Sequence, residues 1–408
     1  MTIAPTHEET RARLLHGRDG WWWILGKKIA RLPEEGVEDG ELVPAARQAL
    51  EEQRFFEDEE TPTYAITVLT ATACNLGCWY CFQNTAAPPP GSFAPPRIAK
   101  ATLSDETVEK IRRFVDDRMA ERDYRRLSVL LFGGEPLLNP KGCVNLLRTL
   151  APAGLTRAEI ITNGVLLKPE LAQRLEEVGL RRAQITFDGN REVHDTIRTT
   201  RNGRGTFDKI VANVEAATAV TDLSWHFRVN VSHRNLETIE ELVVLLGELV
   251  PPGRASLHVA LIDDVGLDYD NEVGYDDDYA ETLIRLHRRA ISLGLFVAPS
   301  QPLGDCPYCG VVGGCTGAVI NADGVLYSCW ENAGRPGWEV GTVEDGYGGT
   351  DEIRDRWVAC DFDAKPHANP KQTKRFFDRV DAALLDDMRD TGMLERWTAS
   401  PLGAAPAC

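Results

Sequence analysis

The chain has 408 residues, 43% hydrophobic and 26% charged, the composition of a soluble globular protein long enough for two or three domains. Its 62 acidic and 45 basic residues leave a net charge of −17. That excludes nucleic acid as the principal partner, because phosphate neutralisation needs a basic face. It suits a basic or neutral partner such as a Lys- or Arg-bearing peptide, beyond keeping the protein soluble. No apolar run approaches the ~20 residues of a membrane helix, so no membrane partner is expected.

In chain order, Met1 leads into a polar, acidic stretch rather than a signal peptide, so a cytoplasmic protein is expected. Residues 1–62 read as an N-terminal extension. It holds Trp21-Trp22-Trp23-Ile24-Leu25, then Leu42-Val43-Pro44 leading into a helix that ends near Phe56. The acidic run 57–60 and Pro62 mark a boundary. From Tyr64 onward, strand-like runs at 64–70, 127–132, 160–162, 183–187, 226–231 and 257–262 alternate with amphipathic stretches. One of these begins at Ser104 with Asp105 and Glu106 in its first turn. Another has Pro169 early and Gly179 at its end, and a third runs from about 236 to 249.

This alternation predicts an α/β fold with a parallel sheet covered by helices. Six strands rather than eight give a partial (β/α)6 TIM barrel over residues 63–300, open on one side. Such arrays place their sites at the carboxyl ends of the strands. The proline-rich segment 88–96 reads as a surface excursion, and the acidic stretch 263–278 as a loop beside the active face.

Directly after the first strand of the array stand Cys74, Cys78 and Cys81, spaced CxxxCxxC. Three soft ligands on one loop wrap an iron–sulfur cluster but leave one iron without a protein ligand. A structural zinc would want a fourth Cys or His at a familiar offset, and none follows until Cys143. Ten cysteines in a large unexported chain favour metal or redox chemistry over disulfides. Cys143, at a helix start, is expected to be buried, and Cys408 to be an unstructured end.

The CxxxCxxC loop resembles the signature of the radical SAM superfamily. The resemblance implies a [4Fe–4S] cluster on these cysteines, with S-adenosyl-L-methionine (SAM) chelating the fourth iron. It also implies that Tyr80, the aromatic residue before the third Cys, packs near the adenine. Further strand ends continue the match. In Phe132-Gly133-Gly134-Glu135-Pro136, paired glycines let the backbone approach a ligand, and the carboxylate can accept from a cationic group. By resemblance, Glu135 binds the methionine ammonium of SAM. Asn163, in Ile161-Thr162-Asn163-Gly164, resembles the TNG element of the family. Ile185-Thr186-Phe187-Asp188-Gly189, with His194-Asp195 and Arg198, is similar to the S-x-D-G…H-D-x-x-R segment of peptide- and sulfatase-modifying members, with Thr186 where Ser is usual. Asn230 ends the fifth strand and joins the candidates for the cofactor. His194 is assigned no part in the chemistry.

The C-terminal third holds Cys306, Cys309, Cys315, Cys329 and Cys360. Two short strands around Asn321-Ala322-Asp323-Gly324 would bring Cys315 and Cys329 to the same end of a hairpin, a compact metal clamp with a zinc ribbon as the plain alternative. With Trp330-Glu331 and Val340-Gly341, the stretch resembles the SPASM auxiliary-cluster domain or its shorter twitch form, over residues 301–408 with a C-terminal helix. The resemblance implies one auxiliary Fe–S cluster of the [4Fe–4S] kind on Cys309, Cys315, Cys329 and Cys360. Cys306 either replaces Cys309 or is a thiol near the active face. Sulfatase maturases carry an acidic base where Trp330 stands, and Glu331 one residue later is the candidate base here.

The implied chemistry is cleavage of SAM to a 5′-deoxyadenosyl radical that abstracts hydrogen from substrate, fed by a reductant such as flavodoxin or ferredoxin. The N-terminal extension resembles a reduced form of the leader-peptide-binding module of peptide maturases, a three-stranded sheet packed on helices. The expected substrate is a ribosomally synthesised precursor peptide, crosslinked or otherwise oxidised. The alternatives are a twitch-type dehydrogenase of a small molecule such as an aminocyclitol, and a non-catalytic Fe–S or zinc protein that binds peptide.

Overall fold

A computed structural model describes residues 12–25, 28–57, 63–81, 83, 98–262, 271–300, 312–357 and 370–399. The chain divides into two compact units, one formed by 1–60, 274–303 and 363–408 and the other by 61–273 and 304–362. These boundaries cut across the three-part division read from the sequence. The helical C-terminus lies in the same unit as the N-terminal segment, not with the hairpin of residues 317–327.

In the first unit, β1 (Arg13–Gly17), β2 (Gly20–Leu25) and β3 (Lys28–Leu32) form an antiparallel meander, with Leu15 opposite Trp22 and Trp23 opposite Ala30. Side chains alternate between the two faces of a strand, and the consecutive tryptophans use both. Trp23 joins Leu32, Ala46 and Leu50 in a core closed by α1 (Pro44–Glu52), with Phe55 and Phe56 packed against it. Burying a leucine such as Leu50 there contributes roughly 1.5–3 kcal/mol. Trp22 turns the other way and donates its indole N–H to Asp386 (3.0 Å). A two-stranded ribbon, β4 (Val37–Glu38) with β5 (Glu41–Leu42), precedes α1.

The second unit supplies the large sheet. Its strands β6 (Thr63–Ala71), β7 (Arg126–Gly133), β8 (Leu155–Thr162), β9 (Leu180–Phe187), β10 (Ser224–Val231) and β11 (Ala255–Leu261) are all parallel and lie side by side in sequence order. Between them run α2 (Asp105–Glu121), α3 (Pro140–Leu150), α4 (Pro169–Glu177), α5 (Arg191–Ile197), α6 (Phe207–Val220) and α7 (Ile239–Leu249). The boundary signals act as expected. Ser104 caps α2 by accepting from the Thr107 N–H (3.1 Å), Pro169 opens α4, and Gly179 follows it at φ +107°. One face of the sheet is a continuous apolar layer: Tyr64, Ile66, Val68, Leu127, Leu131, Ile160, Ile185, Phe187, Phe227 and Val229 are all almost fully buried.

The alternate residues face the other way, and there the sheet is divided. On β6 and β7 they are Ala65, Leu69, Leu130 and Phe132, which form a core with Val319 and Tyr327. On β8 to β11 the same face carries Arg157, Glu159, Arg182, Gln184, Thr186, His226, Arg228, Ser256 and His258, aligned strand by strand. The charged residues Arg157, Glu159 and Arg182 make β8 and β9 longer than the apolar runs at 160–162 and 183–187 suggested.

The first unit also contains α8 (Asp277–Ser292) and a short β12 (Phe296–Val297). In the second unit, β13 (Gly317–Ile320) joins the free side of β6 in parallel, Gly317 opposite Ala65. It pairs antiparallel with β14 (Val325–Tyr327), which is followed by β15 (Gly341–Thr342), β16 (Gly346–Tyr347) and a short α9 (Thr350–Ile353). The α/β class with a large, mostly parallel sheet is thus as the sequence implied. Returning to the first unit, α10 (Pro370–Asp390) and α11 (Met393–Ala399) end the described chain. Asp378 and Asp381 on α10 receive Arg13 of β1 at 2.9 and 2.6 Å. Among the described residues, no helix is long and apolar enough to cross a membrane.

Candidate active site

All six parallel strands end on the same edge of the sheet, and the expected cofactor residues stand there. The loop after β6 carries Cys74, Cys78 and Cys81, and among the described residues no disulfide joins any two cysteines. The loop is held on two sides. On one, Gly134 N–H donates to Ala71 O (3.0 Å) and Glu135 N–H to Ala73 O (2.9 Å). The paired glycines exist for this approach. A Cβ on Gly133, at φ +136°, would lie 2.2 Å from Ala71 O, and one on Gly134 would lie 2.5 Å from Thr72 O. The close neighbour is therefore the backbone of the Cys loop itself.

On the other side a segment after α5, overlooked in the sequence, clamps the loop. Gly77 N–H donates to Thr199 O (2.9 Å), Leu76 and Thr200 form an antiparallel bridge, and Arg201 Nε donates to Cys74 O (2.7 Å). Asn75, also unanticipated, accepts from Asn163 Nδ2 at 2.9 Å; the same Asn163 amide lies 3.8 Å from Cys74 Sγ.

Glu135 is fully buried, and its carboxylate is occupied by its own chain. Oε1 accepts from Leu137 N–H (2.9 Å) and Thr162 Oγ1 (2.7 Å), and Oε2 from Asn163 N–H (2.8 Å). Burial raises its pKa while these bonds pull it back. Glu135 thus ties the end of β7 to that of β8, and the TNG backbone is positioned through it.

A second group centres on Tyr80. Its hydroxyl donates to Asp188 Oδ2 (2.7 Å) and accepts from Arg198 Nη1 (2.8 Å) and Asn230 Nδ2 (3.1 Å). One oxygen from the Cys loop therefore joins residues after β9, after α5 and on β10. Burial, above all, raises the phenol well above its ordinary range. Asp188 is fully buried, and its Oδ1 and the Nε of Arg198 have no hydrogen-bond partner. Both carry their charges close enough to Cys78 to act on its thiol, which burial pushes up.

His194 backs this group. It is fully buried, its Nδ1 accepts from Asp188 N–H (3.4 Å) and its Nε2 meets Thr206 Oγ1 (3.2 Å). Burial lowers its pKa to about 3, which holds the ring neutral. Thr186, one step down β9, stands opposite Arg228 of β10. Cys143 is buried, with its thiol near Pro136 O (3.3 Å) and Thr70 Oγ1 (3.4 Å).

Among the described residues, no three His, Cys, Asp or Glu side chains are arranged to grip a single metal ion. A cubane asks for something different, one thiolate per iron. Three cysteines on one clamped loop answer that demand. Burial pushes Cys74 up to about 12, with Glu135 adding to the shift, and a bound cation would favour its thiolate. Beside them, the unpartnered Asp188 Oδ1 and Arg198 Nε are an acceptor and a donor for a ligand that bears both an amine and a carboxylate, as SAM does. The residues present fit the cluster and SAM.

The hairpin β13–β14 forms as expected, with Val319 opposite Tyr327, so Cys315 stands two residues before β13 and Cys329 two residues after β14. Gly324 closes the turn at φ +88°. Trp330 packs against Phe132 of β7 with ring centroids 5.4 Å apart and the rings tilted by 31°, and Glu331 beside it is half-buried. Cys306, Cys309, Cys360 and Cys408, the segment 88–96 and residues 263–270 of the acidic stretch lie outside the described residues.

Residues 68–246 match the family model of the radical SAM superfamily. The AdoMet-dependent heme synthase of Methanosarcina barkeri is 30% identical over 53% of this chain and 55% of its own length. The mycofactocin maturase MftC of Mycobacterium tuberculosis is 29% identical over 42% of this chain and 39% of its own. The chain thus spans about half or less of the length of these curated relatives. The solved structure of native anSMEcpe with bound AdoMet superposes with a TM-score of 0.60 at 16% identity, covering 81% of this chain and all of that one, a likeness of fold. Residues 68–246 are thus similar to the radical SAM superfamily, and the relatives that resemble the chain are named as a synthase and a maturase.

Proposed function

We propose that this chain is a radical SAM peptide maturase, which oxidatively modifies a ribosomally made precursor peptide by a crosslink or a related side-chain change. Cys74, Cys78 and Cys81 would hold a [4Fe–4S] cluster, and Tyr80, Gly133, Gly134, Glu135, Asn163, Thr186, Asp188, Arg198 and Asn230 would surround SAM. That pair supplies one-electron cleavage of SAM and, through it, hydrogen abstraction from substrate. The chain's part is positional. Glu135 fixes the β7 and β8 ends, the Tyr80 hydroxyl fixes Asp188 and Arg198, and the Thr199–Arg201 segment fixes the Cys loop. Cys315 and Cys329 at the hairpin base support an auxiliary cluster completed by Cys309 or Cys306 and by Cys360, with Glu331 as the candidate base. A flavodoxin or ferredoxin would deliver the electron.

The observation that carries the peptide reading is the N-terminal sheet. Residues 13–32 build a three-stranded antiparallel meander whose outer strand β3 borders a cavity of about 540 Å³ against α1, lined by Ile29, Leu32, Val43, Ala46, Leu50 and Phe55. An edge strand beside an apolar groove is what an extended peptide uses when it adds a strand. The relatives divide on substrate: the mycofactocin maturase is named for maturation, the heme synthase for a small molecule. An aminocyclitol-type dehydrogenase is therefore the second reading.

Anaerobic reconstitution tests the chemistry. Two cubanes predict about eight irons per chain, one predicts about four. With dithionite and SAM the protein should release 5′-deoxyadenosine, and a Cys74/Cys78/Cys81 triple Ala variant that still does so ends the reading. Ala49→Arg, at an exposed position in the β3–α1 groove, tests the peptide claim. It should abolish processing of a co-expressed precursor peptide while leaving SAM cleavage intact.

A further inference from the structure

We propose that Asn163, besides its place among the residues around SAM, is a positioning residue that acts on the cluster through Cys74. Its side-chain amide, hydrogen-bonded to Cys74 Sγ, raises the reduction potential of a cluster bound through that sulfur. The inference rests on the reading of Cys74, Cys78 and Cys81 as a [4Fe–4S] site and adds how readily that site takes up an electron.

The geometry leaves the amide one orientation. Asn163 is buried in the turn that follows β8, and its own N–H donates to Glu135 Oε2 (2.8 Å). Its Oδ1 accepts from Val165 N–H (3.1 Å). A backbone N–H can only donate, so the carbonyl end of the amide faces Val165 and the NH2 end faces the Cys loop. There Nδ2 meets Asn75 Oδ1 at 2.9 Å and Cys74 Sγ at 3.8 Å. Leu76 N–H donates to the same sulfur (3.4 Å). Arg201 Nε takes the Cys74 carbonyl (2.7 Å), which keeps the residue where both donors reach its sulfur.

A thiolate bound to iron accepts hydrogen bonds and has no proton to donate, so both contacts keep their sense when the loop is loaded. Reduction adds one negative charge, and a donor aimed at a ligating sulfur stabilises it. Hydrogen bonds to the sulfurs are among the factors that set such potentials. Burial and the Glu135 carboxylate act the other way, against negative charge on Cys74 Sγ. Glu135 is thus doubly involved. Its charge opposes reduction, while its bond to the Asn163 backbone places the group that favours it.

The experiment is a potentiometric titration of the reconstituted full chain, with dithionite as reductant and electron paramagnetic resonance as the readout. The signal that SAM alters belongs to the cluster with the open iron, which separates it from any auxiliary cluster. Asn163→Ser keeps an oxygen for Val165 N–H and withdraws the NH2 group. The ratio of reduced to oxidised cluster at a fixed potential should fall about fivefold, the contribution of one hydrogen bond. At 59 mV per decade that is a midpoint about 40 mV lower. Asn163→Asp keeps the shape, removes the donor and adds a charge, and should lower the midpoint further. Thr162→Val is the structural control. It removes the bonds of Thr162 Oγ1 to Glu135 (2.7 Å) and Gly164 N–H (3.1 Å), loosening the same turn without touching either donor to the sulfur. Its midpoint should stay near that of the wild type. A midpoint belongs to the clusters that form, so partial loss of iron does not blur it. An unchanged midpoint in both Asn163 variants, or an equal fall in Thr162→Val, overturns the proposal. A signal in the unaltered protein that SAM does not alter overturns the reading of the Cys loop as well, whereas a SAM-responsive signal with unmoved midpoints counts against Asn163 alone.

Discussion

The hydroxyl of Tyr80 lies 2.7 Å from Asp188 Oδ2, joining the Cys loop to the end of the fourth parallel strand through one oxygen. Arg198 and Asn230 donate to the same oxygen. Tyr80→Phe therefore strips an acceptor from two donors and a donor from a fully buried carboxylate. We expect a loss of about 2 kcal/mol in urea unfolding of the apoprotein, together with weaker SAM binding. Unchanged stability would show that the three partners re-pair without it.

Glu135→Gln keeps the shape of the side chain but replaces one acceptor oxygen with an NH2 group. All three present partners, Leu137 N–H, Thr162 Oγ1 and Asn163 N–H, donate to the carboxylate. One donor must then face another. A destabilisation of about 1–3 kcal/mol follows, measurable without any cofactor. If Gln is neutral for stability but abolishes SAM binding, the role of Glu135 is ligand contact alone.

Gly133→Ala should prevent the Cys loop from seating. The Cβ would fall 2.2 Å from Ala71 O at a φ that side chains rarely adopt. Iron retained after reconstitution should drop severalfold. Gly77→Ala is the control, since a Cβ there meets nothing within 4 Å. Equal iron in both variants would count against the loop being held by the glycine pair.

The buried histidine gives a pH signature. His194 is held near 3 by burial, whereas an unfolded His titrates at about 6.5. Below pH 6.5 the unfolded chain binds a proton that the folded one refuses, so stability falls as pH falls, by about 1.4 kcal/mol per unit until the folded pKa is reached. Between pH 6.5 and 5 the stability difference between the wild type and His194→Gln should shrink by about 2 kcal/mol. Raised carboxylates such as Glu135 and Asp188 act with the opposite sign and cancel in that difference. A difference that does not change with pH would place the His194 ring in water.

In the first unit, Asp386 accepts from the Trp22 indole (3.0 Å) and from Arg18 N–H (2.7 Å), fastening α10 to the meander. Asp386→Ala leaves the indole N–H buried without a partner. We expect about 1–3 kcal/mol of destabilisation, with protease sensitivity rising in residues 13–32 and unchanged at the Cys loop.

Much of the site was legible in the sequence because its chemistry sits in short, contiguous runs. CxxxCxxC, GGEP, TNG and the Asp188–Arg198 segment each announce a strand end. What they do together was not legible. The glycines serve a neighbouring loop, Glu135 serves the TNG backbone, and Tyr80 serves three distant side chains, all facts of pairing across strands. The same is true of the clamp at Thr199–Arg201, which has no motif. Strands β8 and β9 were read short because Arg157, Glu159 and Arg182 look like loop residues until the register puts them on one face. The helix 370–390 was assigned to the hairpin's domain because chain order says nothing about which core its apolar stripe will meet.

The parallel pairing of β13 with β6 has a bearing on how this protein is made. Strand β6, which leads into the Cys loop, is bordered on one side by β7 and on the other by residues about 250 positions later, a contact of very high sequence separation. As the chain leaves the ribosome, that border stays open until some 250 further residues have emerged. The loop that follows β6 therefore passes through a long interval beside an uncovered strand edge.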